Sequence, residues 1–179
     1  MFKKKISRAY FKIKEIDKRT NIFKKERTIL ELGSYPGGWT QYILEEYKNI
    51  FLVSVDRKEV FFKKKNFVFI KGNIFDDETI KKISKIKKKF DLIISDVCDN
   101  ISGVNIIDKG NFNLIIKRIS LIGKIFLKKK KNLLFKNLIE GLEKDIRINF
   151  NYFDKVNIFR LKFRKKKSSE SFIFCINKK

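Results

Sequence analysis

Thr28-Ile29-Leu30-Glu31-Leu32-Gly33-Ser34-Tyr35-Pro36-Gly37-Gly38-Trp39 is the stretch on which the reading of the fold turns. A short apolar run enters the chain's one glycine cluster, and helical spacing follows from Trp39 to about Tyr47. A strand that passes through a glycine turn directly into a helix opens a βαβ unit. Glycines there allow tight turning and close backbone approach to a ligand.

The same alternation continues outward. Apolar runs at Ile50–Val55, Phe67–Ile70, Leu92–Ile94 and Lys124–Leu127 read as strands. Helical spacing marks Ser7–Arg19 (with Ser7 as N-cap), Asp76–Lys88, Ile106–Leu121 and Leu133–Ile146. Tyr152–Leu161 and Ser171–Ile176 read as two strands with no helix between them, hence a closing hairpin. Right-handed crossovers then give an α/β Rossmann-like sandwich. The expected sheet has seven strands, mostly parallel, with a C-terminal antiparallel β-hairpin. No repeat or linker divides the 179 residues, which read as one domain.

Lys and Arg total 44 against 20 Asp and Glu, a formal net charge of +24. This predicts a polyanionic partner, although many of the lysines belong to an ordinary solvated surface. Histidine is absent, and the two cysteines, Cys98 and Cys175, cannot form a thiolate metal site or a disulfide scaffold; no metal is expected. No apolar stretch has membrane-spanning length, and Met1–Ile6 is basic without an apolar segment behind it. The expectation is a cytoplasmic monomer with no membrane partner.

In doubly wound sheets ligands sit at the carboxyl ends of the strands, near the switch in strand order. Asp56 closes the second strand, where an acid accepts hydrogen bonds from ribose hydroxyls. The loop is not G-x-G-x-x-G, and no Gly-Lys-Ser/Thr follows it. A cofactor with ribose and adenine but no pyrophosphate, such as S-adenosylmethionine, suits it; a structural turn or another nucleotide are the alternatives.

Four segments are similar to one family. Gly33-Ser34-Tyr35-Pro36-Gly37-Gly38-Trp39-Thr40-Gln41 resembles the G-x-x-P-G-G-[WF]-[ST]-Q motif of FtsJ-type RNA 2′-O-methyltransferases. Ser7-Arg8-Ala9-Tyr10-Phe11-Lys12-Ile13, Ser95-Asp96-Val97 with Asn100-Ile101-Ser102-Gly103, and Ser168-x-Glu170-x-Phe172-Ile173 resemble the family's upstream, central and terminal motifs, in family order. The resemblance implies a catalytic tetrad of two lysines, an aspartate and a glutamate. Lys12, Asp96 and Glu170 take three places. The second lysine, counted five residues on from Gly123, falls on Lys128, which the resemblance makes the base or the hydroxyl-orienting group. Lys12 would be its neighbouring cation.

The resemblance also implies S-adenosylmethionine, held by Gly33, Gly37, Trp39, Asp56, Asn73 and Asp96. Asn73 stands where the family often has an acid, and for Trp39 helix–sheet packing is the alternative. Cys98-Asp99 replaces the family's Ala-Pro, and Leu121-Ile122-Gly123 its Pro-Gly-Gly. The implied substrate is a ribose 2′-hydroxyl of RNA, a uridine of large-subunit ribosomal RNA within the large subunit. Residues 1–20 would contribute a basic helix to RNA binding, together with Arg164–Lys167, and Tyr10 or Phe11 would stack on a base. The alternatives are a tRNA 2′-O-methyltransferase, a non-catalytic RNA-binding or ribosome-assembly module, and a small-molecule methyltransferase.

Overall fold

Along β1 (Thr28–Leu32), Leu30 and Leu32 face one side of the sheet and Ile29 faces the other, so this strand is buried on both faces. The computed structural model describes residues 5–98, 102–161 and 170–179. In chain order β1 lies between α1 (Ala9–Thr20) and α2 (Gly38–Glu46), which are followed by β2 (Phe51–Asp56), β3 (Phe67–Lys71) and α3 (Asp77–Ile86). Then come β4 (Phe90–Ser95), α4 (Asn105–Phe126), β5 (Leu127–Asn137), α5 (Glu143–Asn149), β6 (Phe153–Phe159) and β7 (Ser171–Lys178). The seven strands take the order β3-β2-β1-β4-β5-β7-β6, with β1 to β5 parallel and β7 antiparallel to both neighbours. This is the doubly wound sheet with a closing hairpin that the element pattern predicts. The switch point lies between β1 and β4.

Two apolar layers flank the sheet. Tyr10, Ile13 and Ile16 of α1 and Trp39, Tyr42 and Ile43 of α2 cover Ile29, Leu52, Leu92, Ile94, Leu134 and Phe172. Ile83 of α3, Ile146 of α5 and the inner side of α4 cover Leu30, Val53, Ile93, Leu133 and Phe135. The first layer contains a polar knot. Asp17 of α1 is buried, accepts a hydrogen bond from the Tyr42 hydroxyl at 2.7 Å and another from Tyr47, and receives the Phe23 N–H at 3.4 Å. Burial and the Asp17 charge push both phenols above their ordinary range.

Three local expectations are corrected. Ser7 is not an N-cap: α1 begins at Ala9 without a side-chain cap, and the Ser7 hydroxyl is buried against Gly38. The fifth strand is not Lys124–Leu127. Phe112, Ile115, Ile116, Ile119, Ile122 and Phe126 keep one helical stripe buried to the end of α4, so residues 124–126 are its last turn. The apolar run Leu133–Phe135 is not the start of a helix but the centre of β5, paired with Ile93–Ser95 of β4.

Glu31 points into the α1–α2 layer and is fully buried. Its Oε2 accepts hydrogen bonds from Thr40 at 2.6 Å and Ser54 at 2.5 Å, while Oε1 has no partner. Burial pushes its carboxyl up to about 7, against the two hydroxyls and with the Asp96 charge. The folded chain therefore holds this proton more tightly than the unfolded chain. Its contribution to stability is full below the ordinary glutamate range and is lost as pH rises towards 7. Glu31→Gln is expected to flatten that loss. The check is the urea midpoint of both proteins at about pH 5 and about pH 7.5. A wild type that loses no more stability over this interval than the variant would refute the assignment.

Candidate active site

At the carboxyl ends of β1, β2 and β4 a cleft of about 630 Å³ opens. Its polar lining includes Asp56, Arg57, Lys58, Asn73, Asp96 and Lys136, and its apolar lining includes Ile74, Phe75, Val97 and Ile115. The loop after β1 forms one wall. Gly33 has φ +75, and a Cβ there would stand 2.6 Å from the Val97 backbone nitrogen, so only glycine lets the β1 and β4 loops touch. The Gly33 N–H donates to the Val55 carbonyl at 2.8 Å, and the Tyr35 N–H donates to Asp56 Oδ2 at 2.8 Å. Asp56 Oδ1 receives the Lys58 N–H at 2.8 Å. The loop thus orients the carboxylate, and each of its oxygens keeps a second lone pair. Asn73 Oδ1 receives the Phe75 N–H at 3.2 Å, which turns the chain away from β3.

Of the expected cofactor residues, Gly33, Asp56, Asn73 and Asp96 line this cleft. Gly37 and Trp39 do not. Gly37 supplies the turn into α2 at φ +108 and packs against Val60 and Phe62. Trp39 is 2% exposed, its ring 6.4 Å from that of Phe172, so packing accounts for it.

Strand register brings the charged side chains together. Ser95 of β4 pairs with Phe135 of β5, which places Asp96 beside Lys136. Lys136 pairs with Phe172 of β7, and Glu170 precedes β7. Ile94, Leu134 and Phe172 face the α1 layer, and the two-residue period sends Asp96, Lys136 and Glu170 the same way, towards Lys12. Two ion pairs result: Lys136 Nζ lies 2.5 Å from Asp96 Oδ1, and Lys12 Nζ lies 2.6 Å from Glu170 Oε2. Burial raises the Asp96 carboxyl above its ordinary range; Lys136 and Lys12 oppose the rise and Glu170 adds to it, so all four groups share one field.

Lys12, Asp96 and Glu170 converge as expected, but Lys128 does not join them. It sits at the opposite end of β5, where its Nζ is 2.7 Å from Asp91 Oδ1 at the start of β4. Burial would raise Asp91, but Lys128, the Arg27 N–H and the Thr28 hydroxyl hold it down at about 2. The count from Gly123 fails because Gly123 lies inside α4 rather than at the start of a strand. The lysine that sequence reasoning missed is Lys136. Its signal is the buried run Leu133-Leu134-Phe135 just before it, which matches Ile93-Ile94-Ser95 before Asp96. On α1, Phe11 is exposed, whereas Tyr10 is buried with its hydroxyl 2.9 Å from Glu45. Asp99 and Arg164–Lys167 lie outside the described residues.

The FtsJ-like methyltransferase family profile matches residues 6–178. The chain belongs to this family. Ribosomal RNA large subunit methyltransferase E of Wigglesworthia glossinidia brevipalpis is 37% identical over 177 residues, covering 97% of this chain and 86% of the relative. The protein of the same name from Borrelia garinii subsp. bavariensis is 37% identical over 168 residues, 92% of this chain and 86% of its own. A crystal structure described as a ribosomal RNA methyltransferase from Plasmodium falciparum superposes with a TM-score of 0.82 at 27% identity, covering 97% of this chain and 98% of that one. FtsJ-like methyltransferases use S-adenosylmethionine. The cleft suits it in volume, in the acid closing β2 and in the apolar wall that an adenine ring requires. Among the described residues no helix is long and apolar enough to cross a membrane.

Proposed function

We propose that this methyltransferase transfers a methyl group from S-adenosylmethionine to a ribose 2′-hydroxyl of RNA, at a uridine of large-subunit ribosomal RNA. The observation that carries the reading is the Lys136–Asp96 pair on the cleft wall with Lys12–Glu170 in the same field. The names of the relatives supply the RNA.

When bound, S-adenosylmethionine supplies a methyl group on a sulfonium sulfur, so alignment rather than leaving-group activation limits the reaction. Gly33, Asp56, Asn73 and Asp96 would hold it, Asp56 through the ribose. Lys136 orients the 2′-hydroxyl and takes up its proton as the new carbon–oxygen bond forms. Asp96 fixes the Lys136 amine and balances the charge it gains. Lys12, restrained by Glu170, places a second cation beside the site. Arg8, just before α1, and Phe11 on it, both exposed, offer a phosphate contact and a stacking surface near Lys12.

Incubation with labelled S-adenosylmethionine and large ribosomal subunits that lack the modification is expected to yield labelled 2′-O-methyluridine after nuclease digestion. Label in tRNA alone would replace the substrate. RNA binding without cofactor binding would reduce the protein to an RNA-binding module.

A further inference from the structure

The lysine run 128–131 is left unused by the reaction, and the structure gives it a distinctive form. Phe90 pairs with Leu127 and Leu92 with Asn132, so four consecutive lysines of β5 stand against Asp91 alone. Lys130 adopts φ +57 in this bulge. Lys128 and Lys131 fold inward onto buried Asp91 and Glu26, at 2.7 and 2.6 Å. This anchors both ends of the bulge and turns Lys129 and Lys130 out to solvent.

Two more lysines frame them. Lys89 Nζ donates to the Ile125 carbonyl at 2.6 Å. Lys178 Nζ donates to the carbonyls of Gly123, Lys124 and Leu127 at 3.0, 2.6 and 2.9 Å. Both are therefore fixed at the C-terminus of α4. Burial first, then the charges of Lys89 and Lys129, push the Lys178 amine down to about 8, so these cations crowd one another. The two acids beside the bulge are already neutralised by Lys128 and Lys131. Five residues along β4 separate Asp91 from Asp96, roughly 17 Å, so this pole is distinct from the reaction site.

We infer that the bulge of Lys129 and Lys130, framed by Lys89 and Lys178, is a second contact for the phosphate backbone of the RNA substrate, at the pole opposite the active site. The inference rests on the RNA reading above. Lys89 and Lys178 hold their charge in place behind the exposed pair, and the crowding among these cations is relieved by a polyanion. A ligand that touches both poles must be large and folded, which suits an RNA that bends around the domain.

The test is filter binding of unmodified large-subunit ribosomal RNA to the full chain over a salt series. Lys129→Glu with Lys130→Glu is compared with Lys81→Glu and Lys85→Glu, which make the same charge change on exposed positions of α3. Affinity is expected to fall about tenfold or more at about 0.1 M salt for the bulge variant only. Lys129→Gln with Lys130→Gln is expected to lower the salt slope by roughly two, and it stands in should the charge reversal fail to fold. Equal losses in bulge and α3 variants, or an unchanged slope in the glutamine variant, overturn the inference. Methyl transfer by the wild type is scored on the same RNA. A wild type that binds this RNA but does not methylate it leaves the inference to be judged by binding alone, and methyl transfer to large ribosomal subunits decides the enzymatic reading separately.

Discussion

Lys136→Ala is expected to lower methyl transfer about a thousandfold while leaving S-adenosylmethionine binding within a few-fold of wild type, as befits removal of a group that acts on the substrate proton. The Lys136 amine is the one that both lines the cleft and touches Asp96, and alanine leaves nothing to take the hydroxyl proton. Lys128→Ala is the matched comparison. Its amine is paired with Asp91 at the far end of β5, and its side chain is 45% exposed, so it is expected to keep full transfer and to lose less than about 1 kcal/mol of stability. Single-turnover transfer with saturating cofactor separates the two. Full activity in Lys136→Ala, or loss in Lys128→Ala alone, would move the chemistry to the other end of the strand.

Gly33→Ala is expected to cost about 3 kcal/mol or more, a fall of roughly 6–12 °C in Tm for a chain of this size. Two effects add. At φ +75 a Cβ is strained wherever it occurs, by about 1–2 kcal/mol. This Cβ would also stand 2.6 Å from the Val97 nitrogen and 2.7 Å from its Cα, backbone atoms that move only if the loop after β4 moves. Because Gly33 and Val97 both line the cleft, cofactor affinity is expected to fall as well, by about tenfold. Gly103→Ala separates the effects: φ is +86 there, but nothing lies within 4 Å of the added Cβ, so only the strain remains. Equal melting temperatures for the two variants would show that close approach at Gly33 carries no weight.

The residues from Thr28 to Trp39 could be read locally because each feature there has a local cause: a short apolar run, a glycine at positive φ, a helix start. Asp96 was legible for a similar reason, since it ends a buried run. Lys12 and Glu170 were legible only through motif resemblance, because nothing in the spacing of residues on α1 and before β7 says that they meet. Lys136 could not be read this way. The isoleucines of α4 carry strand propensity, so Lys124–Leu127 resembles a strand, yet burial of Ile122 and Phe126 keeps the helix going. The lysines that follow favour helices, yet pairing with β4 forces them into a bulge. Where β5 begins is decided by Phe90, the partner of Leu127 and 37 residues before it, and a local pattern does not contain it. Trp39 shows the reverse case: it sits within the motif, but its work is packing.

The buried Asp17, held by two tyrosines of the α2 region, has a consequence for how this protein can change. α1 looks like an appendage laid across the sheet, the sort of segment that could be exchanged as a cassette. Asp17 prevents this. Removing α1 would strip one buried and one half-buried phenol of their acceptor and uncover Trp39 and Phe172. The helix that offers Arg8 and Phe11 is thus welded to the one that starts at the glycine loop. Variation on this face must arise by substitution at its outward positions, because the helix and the sheet it covers form one inheritable unit.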